Sequence, residues 1–140
     1  VFDTCVWVSA VRSRRGAGFS LLSEIPHKRF VFGISVPLFL EYRAKLYETV
    51  SNKTTTLTRN QVDIVLSALA NYCVEVPIFF RLRPNLKDEN DNMVFECAAN
   101  FGAVAIITHN VKDFVQFDLG EYSIEVLTPG QFIRSMRRHT

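Results

Sequence analysis

Four carboxylates stand where a folding chain gains little from them. Asp3 interrupts the apolar run VFDTCVWVSAV at residues 1–11, and Asp113 lies in THNVKDF, directly after the apolar stretch VAIIT. Asp91 falls in the first turn of a helix expected to open at Asp88. Val94, Phe95 and Ala98 lie at i+3, i+4 and i+7 from it, so its carboxylate shares the apolar stripe. Glu41 lies in another expected helix, with Leu38 at i−3 and Ala44 at i+3. Each acid also has an ordinary explanation. Asp3 could accept backbone N–H bonds in a strand-to-helix turn, and Asp91 could sit in the dipole field of a helix N-terminus, worth about 0.3–1 kcal/mol. Glu41 could pair with Lys45 for a few tenths of a kcal/mol, and Asp113 could cap a helix.

As a set they mean something else. Two carboxylates about 4 Å apart repel by roughly 4 kcal/mol at an effective dielectric of about 20, and three or four in one pocket stay ionised only beside a cation. Oxygen-only ligands are hard donors, which select Mg²⁺ or Mn²⁺ over zinc. His27, His109 and His139 form no matching cluster with the cysteines, and a local hydrogen-bonding role suits His109 best. Acidic Mg²⁺ sites commonly carry phosphoryl chemistry, activating water and stabilising charge on phosphate.

Positioning such a set requires a core, and the composition supplies one. With 140 residues, 48% hydrophobic and 21% charged, the chain is expected to form one domain over residues 1–140. A formal charge of +2 is too mild to declare a nucleic-acid binder by itself. Cys5, Cys73 and Cys97 are odd in number and lack CxxC spacing, which suits a reducing, cytoplasmic compartment. Arg12, Arg14 and Arg15 follow the first apolar run instead of preceding it, the wrong order for a secretion signal, and no stretch reaches the roughly 20 apolar residues of a membrane span.

Residues 1–10 read as a buried strand and its exit, 16–25 as a helix with Phe19, Leu22 and Ile25 inward, and 29–35 as a second strand. Ser35 with Pro37 opens a helix to about Val50, and Thr58 with Gln61 forms a capping box before Val62, Val65, Leu66 and Leu69 at helical spacing. VEVPIFF, 74–80, is ambiguous because Pro77 cannot donate to a ladder. A capped helix over 88–102, strands at 104–108 and 124–127, and a helix opened by Thr128, Pro129 and Gln131 with Phe132, Ile133 and Met136 inward complete the chain. Strands alternating with helices predict an α/β fold, a three-layer sandwich with a mostly parallel central sheet. Ligands collect outside the carboxyl ends of such strands.

These stretches resemble PIN domains. VFDTCVWVSAV is similar to their opening hydrophobic–D–T–N signature, ISVPLFLEYRAKL to the helix of the second acid, and DENDNMVFECAANFGAVAIITHNVKDF to the third and fourth acids with the strand between. The similarity covers most of the chain and is closest to the toxin subfamily of bacterial toxin–antitoxin systems. It implies a PIN-like fold, a metal-dependent ribonuclease, and Asp3, Glu41, Asp91 and Asp113 as the catalytic, metal-holding quartet with Thr108 and Asn110 in support. It further implies a homodimer neutralised by a cognate antitoxin. Arg12, Arg14 and Arg15 would contact RNA, with Arg43, Lys45 and Lys112 extending the rim. The family usually has asparagine where Cys5 stands, so a side-chain hydrogen bond near the first acid is lost or replaced.

Three other readings compete. A haloacid dehalogenase-like phosphatase needs a second aspartate two residues after the first, where this chain has Cys5. A receiver domain expects adjacent acids in its first loop and a lysine after its last strand, where Pro129 follows Thr128. A PIN-like module that binds RNA or protein with weak or no catalysis is the stronger alternative.

Overall fold

The computed structural model describes residues 1–79, 89–114 and 122–138; Asp88, Phe80 and His139 lie outside them. The chain enters through Phe2, which makes a single parallel bridge to Ile107. The Asp3 N–H donates to the Ile107 carbonyl at 2.8 Å, and the Ile107 N–H to the Val1 carbonyl at 2.9 Å. Helix α1 (Thr4–Arg12) starts at once, which corrects the reading of residues 1–10 as strand. Its buried Val6, Trp7, Ala10 and Val11 recur at i, i+1, i+4 and i+5, a helical stripe. In an unbroken apolar run that stripe cannot be told from a buried strand by periodicity. Asp3 keeps its place at the carboxyl end of the extended entry.

Helix α2 (Ala17–Glu24) forms as expected but presents a different face: Gly18 and Leu21 are buried, while Phe19 and Leu22 are only half-buried. Close approach to α1 is the reason. A β-carbon on Gly18 would lie 2.6 Å from the Val6 carbonyl oxygen, so α2 docks through its glycine. A 3-10 turn at Ile25–His27 containing Pro26 follows and buries Ile25.

The expected strand 29–35 narrows to β1 (Gly33–Ile34), parallel to β2 (Val74–Glu75) with Gly33 opposite Val74. Between them run α3 (Val36–Ser51) and α4 (Arg59–Tyr72). Ser35 Oγ accepts the Leu38 N–H at α3, and Thr58 with Gln61 closes a reciprocal box at α4. Helix α3 buries Leu38, Tyr42, Leu46 and Thr49, and α4 buries Val62, Leu66 and Leu69.

Helix α5 (Glu89–Phe101) ends at Gly102, whose φ of 70° lets the Ala103 N–H return to the Ala98 carbonyl at 3.0 Å. Strand β3 (Ala105–Ile107) pairs parallel with β4 (Glu125–Leu127), and the Thr128–Gln131 box opens α6 (Pro129–Arg138). The architecture is α/β with parallel pairing among the described strands. It is helix-rich, and the described ladders form two pairs, with Phe2 bridged to β3.

An aromatic cluster anchors the entry segment. The Phe2 ring lies 4.7 Å from Trp7, 5.4 Å from Phe30 and 5.9 Å from Phe132, centroid to centroid. Such tilted and edge-on pairs each add about 0.5–1.5 kcal/mol beyond burial. The residue before Asp3 is therefore fixed by side chains from α1, α6 and the approach to β1. The three cysteines are free, and no described helix is long and apolar enough to cross a membrane.

Candidate active site

Asp3 begins the site. It is only 2% exposed and stands at the N-cap of α1, yet its side chain makes no capping bond to the helix. The ordinary explanation from the turn therefore fails. Both oxygens instead accept from distant side chains: Oδ1 from Asn90 Nδ2 at 2.7 Å, and Oδ2 from Thr108 Oγ1 at 2.7 Å. The Cys5 thiol lies 3.4 Å from Oδ2 and 3.6 Å from Thr108 Oγ1. Burial, then the Asp3 charge, push this thiol up to about 11, so near neutral pH it is a protonated S–H donor. Cysteine thus supplies a weak hydrogen bond where the resemblance expects an asparagine.

The other acids are tied to this point through their sequence neighbours. Tyr42, next to Glu41, is fully buried and donates its hydroxyl to the Phe2 carbonyl. Burial holds its phenol well above the usual range. Asn90, next to Asp91, is the donor on Asp3 Oδ1, and its own Oδ1 accepts the Thr4 hydroxyl at 2.7 Å. Thr108 accepts the Asn110 N–H at 3.0 Å, and the Asn110 carbonyl accepts the Asp113 N–H at 3.0 Å. All three tethers converge on residues 2 and 3.

The result is one cleft of about 750 Å³ lined by Asp3, Glu41, Asp91 and Asp113 together with Cys5, Asn90 and Asn110. Asp91 is buried at 5% exposure, Glu41 half-buried and Asp113 exposed. Lys45 also lines the cleft, but its Nζ lies 3.5 Å from Glu48, so the expected Glu41–Lys45 pair is replaced by one within the following turn. No Lys or Arg nitrogen among the described residues forms an ion pair with Asp3. Its buried charge is held there by neutral donors.

The basic residues separate. Arg12, the last residue of α1, lines the acid cleft and also a neighbouring groove, which Arg14 lines with Phe19, Leu22 and Ile64 without reaching the cleft lining. Arg15 and Lys112 are exposed and outside the cleft lining, as is His109. Arg43 and Arg59 lie over the Tyr47 ring at 5.5 and 4.5 Å. Arg43 is thus engaged with a neighbour on its own helix, and it is absent from the cleft lining.

Four oxygen-donor acids on one cleft match what a hard divalent cation takes, and Asp3 lacks a protein counter-charge among the described residues. As they stand, no three His, Cys, Asp or Glu side chains among those residues are close enough to grip an ion. The acids are gathered without being closed into a ligand shell. Sequence reasoning missed Asn90 and Tyr42. The signals were a carboxamide beside the inward acid in ENDN and a polar-tipped ring on the stripe Leu38–Tyr42–Leu46.

Four acids thus line one cleft of an α/β chain whose described strands pair in parallel. A family model described as PIN domain matches residues 1–112, and the chain belongs to that family. Asp3, Glu41 and Asp91 fall inside the match, with Asp113 immediately beyond it. PIN domains are generally nucleases and typically use divalent metals. A search of curated proteins and one of solved structures return no match.

Proposed function

We propose that the chain is a single PIN-like domain, three-layered about a parallel sheet, that hydrolyses RNA phosphodiester bonds with Mg²⁺ or Mn²⁺ as the toxin of a toxin–antitoxin pair. The observation that supports this is the convergence of four acids, from segments as far apart as residues 3 and 113, on one cleft. Asp3, Glu41, Asp91 and Asp113 would hold the metal. When bound, the ion supplies Lewis acidity toward phosphate and acidifies water.

The protein's own part is positioning. Thr108 and Cys5 fix Asp3 Oδ2, and Asn110 locks Thr108 through its main chain. Glu41 and Asp113, less buried, have room to turn toward an arriving cation. Arg12 offers a guanidinium to a backbone phosphate at the cleft, and Arg14 and Arg15 extend that contact along the strand of RNA. The antitoxin is a cognate protein, the working form a homodimer, and the compartment the cytoplasm.

A second reading has its own observation. Because the acids do not form a closed ligand group, the cleft also suits a module that binds RNA or protein with little catalysis. One experiment separates them. Purified chain with single-stranded and structured RNAs should cleave in Mn²⁺ or Mg²⁺, stop on adding EDTA, and lose cleavage in Asp3→Asn and Asp91→Asn variants that keep the wild-type circular dichroism. Binding without cleavage across the same RNAs would assign the module, and undiminished cleavage by either variant would reject the site.

A further inference from the structure

We propose that Asn90 is a positioning residue that presents Asp3 to the divalent cation, an inference that rests on the nuclease reading. Its carboxamide is used at both ends. Nδ2 donates to Asp3 Oδ1 at 2.7 Å, while Oδ1 accepts from Thr4 Oγ1 at 2.7 Å. The carboxylate can only accept, so it takes the amide nitrogen, and the amide oxygen is left facing Thr4, whose hydroxyl donates to it and anchors the carboxamide. Thr4 itself is buried at 4% exposure, so the lock is sheltered from water.

The choice of residue matters. A lysine or arginine reaching this carboxylate would hold it equally well but would also neutralise it, and a metal would then gain less. An aspartate would set a second charge against the first. A neutral carboxamide orients Asp3 and leaves its charge uncompensated for the cation. Asn90 also lies in the first turn of α5 beside Asp91, so the same bond sets the distance between the first and third acids. Orientation of ligands by hydrogen-bonded neighbours is worth about tenfold to a hundredfold in metal affinity.

The test uses the full chain, Asn90→Ala, and Thr4→Val, which keeps the shape of Thr4 but removes the hydroxyl that anchors the amide oxygen. Mn²⁺ binding is measured by titration calorimetry without RNA, and cleavage is followed over a range of RNA concentrations. Asn90→Ala should weaken Mn²⁺ binding about tenfold or more and lower kcat at fixed Mn²⁺. KM for RNA should stay within about twofold, because uniform substrate binding is untouched. Thr4→Val should move Mn²⁺ affinity in the same direction by less. Variants that melt earlier yet bind Mn²⁺ like the parent show a structural role only and overturn the proposal. A parent chain that neither binds Mn²⁺ nor cuts RNA removes the nuclease reading and this inference together. A parent that does both while the variants match it removes Asn90 alone.

Discussion

Removing a single oxygen from Tyr42 should disturb both the fold and the site. Its ring is fully buried, and its hydroxyl is the bond between α3 and the Phe2 carbonyl, itself on a residue only 2% exposed. In Tyr42→Phe the packing of the ring is retained, so the cavity term is small. What is lost is a buried hydrogen bond, with a carbonyl left unpaired, and that penalty is about 1–3 kcal/mol. Taking about 2 kcal/mol, and roughly 3–4 °C per kcal/mol for a chain of this size, the melting temperature should fall by about 6–8 °C. Because Tyr42 adjoins Glu41 and Phe2 adjoins Asp3, the same change loosens the register between two acids. Thermal melts in EDTA read the first effect, and Mn²⁺ titration reads the second. A melting temperature within about 2 °C of the parent would mean that the hydroxyl does not secure the entry segment, and the account of how Glu41 is aligned would go with it.

Four further outcomes follow from the same contacts. Gly18→Ala gains about 0.5–1 kcal/mol of helix propensity. It also drives a β-carbon to 2.6 Å from the Val6 carbonyl, and overpacking of about 1–3 kcal/mol wins, so the urea midpoint should drop with an unchanged slope. Burial pushes the Cys97 thiol and the Tyr42 phenol up from unfolded values of 9.0 and 10.0. Above about pH 9 the unfolded chain therefore holds fewer protons than the folded one, and urea melts should show stability falling with pH, less steeply in Tyr42→Phe. Mn²⁺ at about a hundred times its dissociation constant should stabilise the parent by about 2.7 kcal/mol and Asp3→Asn far less, read as a thermal shift. Arg12→Ala should raise KM for RNA and reduce the salt dependence of binding by about one phosphate contact, more than Arg14→Ala does.

Much of this fold is written locally. The starts of α3, α4 and α6 match expectation because Ser35, the Thr58–Gln61 box and the Thr128–Gln131 box are short-range signals whose hydrogen bonds form as read. The gathering of the four acids on one cleft is legible in two ways: Asp3 and Asp91 sit at odds with their apolar surroundings, and Glu41 and Asp113 are read through the resemblance to PIN domains. What is not legible depends on partners far along the chain. Residues 4–10 form a helix because tertiary burial, not periodicity, decides a continuous apolar run. The α2 face turns because Gly18 meets the α1 backbone, which no pattern within α2 reveals. Asn90 and Tyr42 escape notice because their meaning lies in Asp3 and Phe2, dozens of residues away.

The tethers on Phe2 and Asp3 span 40, 87 and 105 residues of sequence. Contacts of that range form late in folding, after the entropy of closing long loops has been met. During synthesis Asp3 is made before Thr108, and it must wait for that residue before its second oxygen is secured. A chain extended only to residue 107 lacks both Thr108 and Asp113, so the four-acid cleft is not yet assembled. If the completed cleft cuts RNA, that activity waits until Asp113, the acid made last, has joined the other three.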